Sequence, residues 1–373
     1  MPSSKKMKEN EEFLSTQIIT YLGNKRSLLD FIGSVVEEVM KEENKEKITI
    51  VDLFSGSGIV SRYLKQYSSK LITNDMEGYS YTLNKCYLSN KSELDIPLLK
   101  KYYEKLNKEL ENLSPGFITE LYAPKDSDNI QKGERVFYTT RNAMYIDTAE
   151  KIINTFPKEI RQYYIGPLLT EASVKNNTGG VFRGFYKDRK TGIGMFGGSG
   201  ENALSRIKCD IEIPFPIFSN FECEVKNYKE DANKLVKELE HVDLIYMDPP
   251  YNQHPYGSNY FMLNLINDYK KPKNISRISG IPKDWNRSNY NYPKEAIESM
   301  KELFNNCNAD YLLISFNNEG FVTKEEMIDM LSTIGKVIVY EKKYNTYKAS
   351  RNLNNRSKHT FEYLFLVDKR KQY

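Results

Sequence analysis

The chain has 373 residues, 39% hydrophobic and 28% charged, the balance of a soluble globular protein built as one enlarged domain or two. Its formal net charge is only +4, so any nucleic-acid surface has to be a local patch and not a global excess of positive charge. Four scattered cysteines (Cys86, Cys209, Cys223, Cys307) and three scattered histidines (His241, His254, His359) lack metal-ligand spacing, which points to reduced thiols and to no metal site.

Residues 1–12 read as a flexible charged tail with no apolar signal segment. No stretch approaches the ~20 apolar residues of a membrane span, so a cytoplasmic protein without membrane contact is expected. Gly23-Asn24 is a turn signal within Tyr21-Leu22-Gly23-Asn24-Lys25. Ser27 is placed to cap a helix over 28–41 whose apolar face is Leu28, Phe31, Ile32, Val35, Val36 and Val39. Lys25, just before that helix, is either solvated or set to hold a carboxylate or phosphate. A β-branched strand, 48–54, runs into Ser55-Gly56-Ser57-Gly58 and a helix over 59–67. This is the opening of a nucleotide-binding βαβ unit, although the third glycine of the dinucleotide fingerprint is missing. A second strand, 70–75, ends on Asp75 about twenty residues after the first. That acid is a turn residue, a helix cap or a grip for ribose hydroxyls.

From about residue 86 to 219 the α/β alternation breaks down, with helices expected over 100–113 and 145–156. Residues 175–208 carry eight glycines, interleaved with Lys175, Arg183, Lys187, Arg189, Lys190, Arg206 and Lys208 and with Phe182, Phe185, Tyr186 and Phe196. This pattern reads either as a solvated loop or as a basic and aromatic surface for nucleic acid.

Alternation resumes with a strand over 221–228, a helix from 232 to 240 and the apolar strand 242–247. Pro249 and Pro250 cannot donate ladder hydrogen bonds, so the strand stops there. Asp248, backbone carbonyls and the Tyr251 ring are thereby held stiffly at the carboxyl end of a strand, the edge at which α/β sheets bind ligands. Residues 252–260 read as a loop over that edge. A helix over 294–306, a strand over 311–316, a helix over 324–334 and strands over 337–344 and 361–368 complete the chain. The linker 342–359 is basic, with Lys348, Arg351 and Arg356 and no acid, and is either a solvated loop or a phosphate contact. Together these elements describe an α/β fold with a doubly wound, mainly parallel seven-stranded sheet.

Tyr-x-Gly-x-Lys (Tyr21, Gly23, Lys25), Asp-x-Phe-x-Gly-x-Gly (Asp52, Phe54, Gly56, Gly58), Asp75 and Asp-Pro-Pro-Tyr (248–251) follow one another in the order of the Dam-like DNA adenine methyltransferases. Outside 86–219 the chain resembles that class, and the residues after Tyr251 are similar to methylases of restriction-modification systems. The resemblance implies the Rossmann-like fold of S-adenosylmethionine-dependent methyltransferases. It implies a catalytic domain over 13–85 and 220–373 and a DNA target-recognition insertion over 86–219. It further implies S-adenosylmethionine as methyl donor, with Tyr21 and Lys25 at its methionine end and the Asp52-Phe54-Gly56-Gly58 turn beneath it. Asp75 would take the ribose hydroxyls, Asp231 would face the donor's adenine amino group, and Asp248 would border the same site. Asp248 and the Pro249 carbonyl would accept the amino hydrogens of a flipped adenine, Pro250 would stiffen the turn, and Tyr251 would stack on the base. Double-stranded DNA is the implied partner, met by Lys175, Arg183, Lys187, Arg189, Lys348, Arg351 and Arg356. A monomer, and a cognate restriction endonuclease acting separately, complete the expectation.

Other readings stay in view. Cytosine-amino methylases usually carry Ser, and protein glutamine methylases Asn, in place of the aspartate, so Asp248 favours adenine. RNA is a possible substrate, though the large insertion suits reading of duplex grooves. A nicotinamide-dependent oxidoreductase leaves Asp-Pro-Pro-Tyr unexplained, and a non-catalytic DNA-binding protein has no need of Asp248 and Tyr251.

Overall fold

Seven strands join in one sheet in the computed structural model, which describes residues 7–250, 255–318, 320–345 and 359–371. They are β1 (Ile48–Asp52), β2 (Ser68–Asn74), β3 (Glu224–Tyr228), β4 (Val242–Met247), β5 (Ala309–Asn317), β6 (Lys336–Asn345) and β7 (His359–Asp368). The order across the sheet is β3-β2-β1-β4-β5-β7-β6. The first five strands are mutually parallel, and β7 enters antiparallel between β5 and β6. This is the doubly wound, mostly parallel α/β sheet of a methyltransferase fold, closed by one antiparallel hairpin.

By contact, the chain divides into two compact units. One comprises Lys25–Met76, Phe221–Pro255 and Arg287–Tyr373 and contains the whole sheet. Its central strands are apolar on both faces because both faces are covered, which is why β4 reads as a continuous run and not as an alternation. On one side Val51, Ile245, Met247, Leu312, Ile314 and Phe365 pack with Leu235, Met300, Leu303 and Leu331 of the helices that follow β3, β4 and β5. The helix Leu29–Glu42 buries Ile32, Val35, Val36 and Val39, the face read from its periodicity. Ser27 does not cap it. A 3₁₀ turn over Arg26–Leu28 comes first and puts Leu28, which has no side-chain acceptor, at the cap position.

The second unit comprises Met1–Asn24, Glu77–Asn220 and Tyr256–Asn286. It is helical, with Gly78–Tyr87, Ile96–Glu109, Thr140–Ile153, Gln162–Val174 and Phe261–Asp268 around an aromatic core that includes Tyr79, Tyr122, Phe137, Tyr138, Phe182 and Phe261. Short-period reading missed several of these helices, because a helix buried on most sides has no single apolar stripe to betray it. Asp147 ties the unit together: its carboxylate accepts the backbone N–H groups of Gly116, Ile118 and Thr119, and the hydroxyls of Thr119 and Tyr269. The segment read as a tail is partly anchored, since Glu9 accepts from Ser219 and from the Asn220 N–H, and Asn10 caps the helix Glu11–Ser15. Among the described residues no helix is long and apolar enough to cross a membrane.

Candidate active site

In the sheet-containing unit, the carboxyl ends of β1, β2 and β4 carry most of the residues singled out from the sequence. The Gly-rich turn after β1 departs from ordinary backbone at two points, Gly56 (φ +49°) and Gly58 (φ +76°). These left-handed angles suit glycine and give the turn a surface free of side chains at both positions. The turn is braced from β2: Ser55 donates from its N–H and its hydroxyl to the Asn74 carbonyl, and the Gly56 N–H donates to Asp75 Oδ2 at 2.8 Å. Asn74 also reaches the Leu53 and Glu230 carbonyls and accepts the Glu230 N–H. One buried amide thus ties together the loop ends after β1 and β3, a role the sequence did not disclose. Asp231 caps the helix Ala232–Leu235 by accepting the Lys234 N–H at 3.1 Å. It borders a cleft also lined by Asn233, Tyr290 and Glu302, and the Tyr290 ring meets Phe54 edge-on at 5.4 Å.

Asp52 is buried at the end of β1. Its Oδ2 accepts the Ser61 hydroxyl at 2.5 Å, whereas Oδ1 is buried without a protein partner among the described residues. Burial pushes its carboxyl up to about 7, against the Ser61 hydrogen bond, with the charges of Asp248 and Asp75 adding to the rise.

Asp52 is the register partner of Tyr246 on β4, and Asp248 follows two residues later, where Pro249 and Pro250 end the ladder. The Asp248 side chain is 19% exposed and faces the Lys25 ammonium at 3.3 Å. Lys25, itself buried, holds a second carboxylate more closely, Glu362 of β7 at 2.7 Å. Glu362 Oε1 also accepts the Ser315 hydroxyl of β5 at 2.7 Å. Three adjacent strands, β4, β5 and β7, therefore bring an aspartate, a serine and a glutamate to one lysine. Burial pushes the Asp248 carboxyl up to about 6; the Glu362 charge adds to the rise and Lys25 opposes it. Neither Glu362 nor Ser315 was singled out from the sequence.

In the helical unit, Tyr21 lies in an aromatic stack with Tyr256 (5.0 Å) and Tyr260 (4.7 Å), and Tyr79 meets it edge-on. The Leu22 N–H donates to the Tyr260 hydroxyl and the Tyr256 hydroxyl donates to the Leu22 carbonyl, which pins this turn. Within the stretch expected to be a loop, Tyr256–Asn259 is a helical turn.

The glycine-rich stretch of the same unit is an ordered hairpin and not a floppy loop. Lys187 pairs with Gly194, and Asp188 accepts from Lys190 N–H, Thr191 N–H and the Thr191 hydroxyl to close the tip. Arg183, Arg189 and Lys190 are exposed, and the Lys187 ammonium lies over the Phe185 ring at 4.8 Å. The aromatics among them point the other way: Phe182 and Phe196 are buried, and Phe185 packs on Phe137. Lys175 is held by Glu171 and by the Asp210 carbonyl, both at 2.6 Å. Tyr251, Lys348, Arg351 and Arg356 lie outside the described residues.

The sequence matches the family model described as D12 class N6 adenine-specific DNA methyltransferase over residues 21–330. It is 30% identical to the type II methyltransferase M.NlaIII of Neisseria lactamica, covering 94% of this chain and 99% of that one. Identity is likewise 30% with the type II methyltransferase M.CviAII of Paramecium bursaria Chlorella virus 1, over 94% of this chain and 98% of the relative. The type II methyltransferase M.FokI of Planomicrobium okeanokoites is 29% identical, and there the match takes in 52% of the relative.

Proposed function

The chain belongs to the D12 class N6 adenine-specific DNA methyltransferases, and from that premise we propose that Asp248, Pro249, Pro250 and Tyr251 present the amino group of a flipped adenine for methylation. The observation that carries this reading is the position of Asp248: a shielded carboxylate at a forced strand end, beside the Gly-rich turn and backed by one lysine. Adenine's exocyclic nitrogen is a poor nucleophile because its lone pair is delocalised into the ring. A carboxylate and the Pro249 carbonyl, accepting one amino hydrogen each, favour a pyramidal nitrogen with a localised lone pair. Asp248 can then hold the proton that the nitrogen sheds. Tyr251 stacks on the extruded base, and the rest of the rate enhancement comes from orientation in a preformed polar setting.

The methyl donor we assign is S-adenosylmethionine, which when bound supplies an electrophilic methyl group. The residues present suit it. Asp52 Oδ1 is a buried acceptor lacking a protein partner among the described residues, as a ligand ammonium requires. Gly56 and Gly58 remove Cβ atoms from the turn beside it, Phe54 lines the same end of β1, and Asp75 offers a carboxylate for ribose hydroxyls. Asp231 is assigned to the adenine amino group, and Tyr21 and Lys25 to the methionine end.

Because Asp248 has to be ionised to accept the amino hydrogens, and burial raises its carboxyl to about 6, kcat should fall with unit slope as the pH drops through about 6. A kcat that stays flat down to pH 5 would remove the carboxylate from the rate-determining step.

For target reading we propose the helical unit built on 77–220. The 187–194 hairpin, with Lys187 at its base and the exposed Arg189, meets the DNA backbone together with the exposed Arg183 ahead of it, while Lys175 contributes from its ion pair at the helix end. Lys348, Arg351 and Arg356 are assigned the same kind of contact from the basic linker. Combining Lys187→Ala and Arg189→Ala should weaken duplex binding uniformly across sequences and reduce the salt slope by about 2, at roughly 0.9 per lost phosphate contact. Fluorescence anisotropy at several salt concentrations reads both effects, and an unchanged slope excludes these two side chains.

The named relatives are type II methyltransferases, two of them matched over nearly their full length. That supports a methyltransferase that marks one DNA site and thereby shields it from a separate endonuclease, and we assign it to the cytoplasm as a monomer. Restriction of modified and unmodified plasmid by a host-derived nuclease is the test. Equal cutting of both forms rejects the protective role.

A further inference from the structure

We infer that Glu362 is a positioning residue for methyl transfer: it takes up the Lys25 ammonium, so that Asp248 keeps its acceptor capacity for the adenine amino group. The inference rests on the role proposed above for Asp248 and extends it to a strand more than one hundred residues away in sequence.

Glu362 stands where an apolar residue is the ordinary choice. Its strand continues with Leu364, Phe365, Leu366 and Val367, all buried, and its own side chain is 1% exposed. A carboxylate in that setting is strongly unfavourable unless it is paired and hydrogen-bonded. Here one oxygen is satisfied twice, by Lys25 at 2.7 Å and by the Ser315 hydroxyl at 2.7 Å, while Oε2 is buried without a hydrogen-bond partner among the described residues. Exchanging a buried ion pair for apolar side chains of similar volume is often neutral or stabilising, so stability alone does not explain its presence.

The arrangement does explain something about Asp248. One ammonium lies between two carboxylates and leans toward Glu362, 2.7 Å against 3.3 Å. An ammonium paired with Asp248 alone would occupy that carboxylate's lone pairs and weaken it as an acceptor. The other charged or titratable groups that act on this corner, among the described residues, are Asp52 on β1, Tyr246 on β4 and, through Asp52, Asp75 after β2. Of the two carboxylates paired with Lys25 among the described residues, Glu362 is the nearer, and it draws the ammonium away from Asp248.

The test compares kcat–pH profiles of the full chain as wild type, Glu362→Gln and Glu362→Asp, on unmethylated duplex DNA with saturating S-adenosylmethionine. Glu362→Gln removes the negative charge that competes with Asp248 for the Lys25 ammonium. Its kcat should fall on the order of tenfold, the scale of weakening one hydrogen bond to the transition state, with both KM values within about twofold. Its acid limb should move about half a pH unit or more toward lower pH, because Asp248 ionises more readily beside an ammonium no longer shared with Glu362. Glu362→Asp keeps the charge beside Lys25 and should bring both kcat and the acid limb most of the way back to wild type. Should Glu362→Gln not fold, Ser315→Ala serves: it removes the hydroxyl that holds the Glu362 carboxylate beside Lys25, and it should lower kcat and move the acid limb in the same direction, with KM unchanged. A wild-type kcat and acid limb in Glu362→Gln overturns the inference, as does a loss of activity that tracks thermal stability with the limb unmoved. If Asp248→Ala instead stays fully active, the failure lies with the Asp248 reading itself.

Discussion

Asp248→Ala is expected to lower kcat by on the order of 10³-fold, the upper range for deleting one preorganised polar contact to a transition state, with the fold intact. The reason it should fold lies in the charge balance. Lys25 keeps Glu362 as its nearer partner, so the substitution removes one of two carboxylates around a single ammonium and leaves a matched pair. The Pro249-Pro250 turn does not depend on the side chain. Donor affinity and duplex affinity, measured by calorimetry and anisotropy, should change by no more than a few-fold, because Asp248 acts on the reacting amino group. Asp248→Asn is a milder change: the amide can present its oxygen but brings two donors that compete with the amino hydrogens, so an intermediate rate is expected. Near-wild-type single-turnover rates in the alanine variant would exclude the carboxylate from the chemistry.

Lys25→Met is expected to be the most destabilising change at the site. It leaves Asp248 and Glu362, the latter wholly enclosed, without their shared cation, and breaking a buried pair in this way costs about 3–5 kcal/mol. For a chain of this size that is a drop in melting temperature of roughly 5 °C. The effect has a defined pH dependence. Without Lys25 the Asp248 carboxyl, already raised by burial, is pushed further above its unfolded value, so folding must take up a proton there. The deficit relative to wild type is full above that folded value and shrinks as pH falls toward the unfolded one. Thermal melts at pH 7.5 and pH 5 should therefore show a wider gap at the higher pH. A gap that is constant, or wider at pH 5, contradicts the charge-balance account.

The sheet was legible in the sequence because its strands are chemically loud. The runs in β1, β4 and β5 are β-branched or apolar almost throughout, and each runs into a turn signal: Ser-Gly-Ser-Gly, Pro-Pro, Asn-Asn. Asp52, Asp75, Asp231 and Asp248 could be placed for the same reason, since each sits at a strand end fixed by its own neighbours. Glu362 and Ser315 were not legible. Both lie in strands that read as core, and their meeting with Lys25 depends on β7 pairing with β5, a long-range register that no local pattern encodes. Asn74 was hidden likewise, because its bonds join the ends of β1 and β3. The glycine-rich stretch misled in part. With its periodicity broken by glycine, nothing in the sequence separates Phe182, which packs into the core with Phe137 and Phe261, from the exposed Arg183 beside it. The helical turn Tyr256–Asn259 was read as loop because Tyr, Gly, Ser and Asn are weak helix formers, and it is the Tyr21 stack that supports it.

The most direct test of the central claim is product identity. The protein is incubated with unmethylated duplex DNA of broad sequence content and S-adenosylmethionine labelled on the methyl group, and the DNA is digested to nucleosides and separated. The account predicts label in N6-methyldeoxyadenosine alone, accumulating with wild type and reduced on the order of 10³-fold with Asp248→Ala. Label in a methylated cytosine, no transfer at all, or equal transfer by the alanine variant would contradict it.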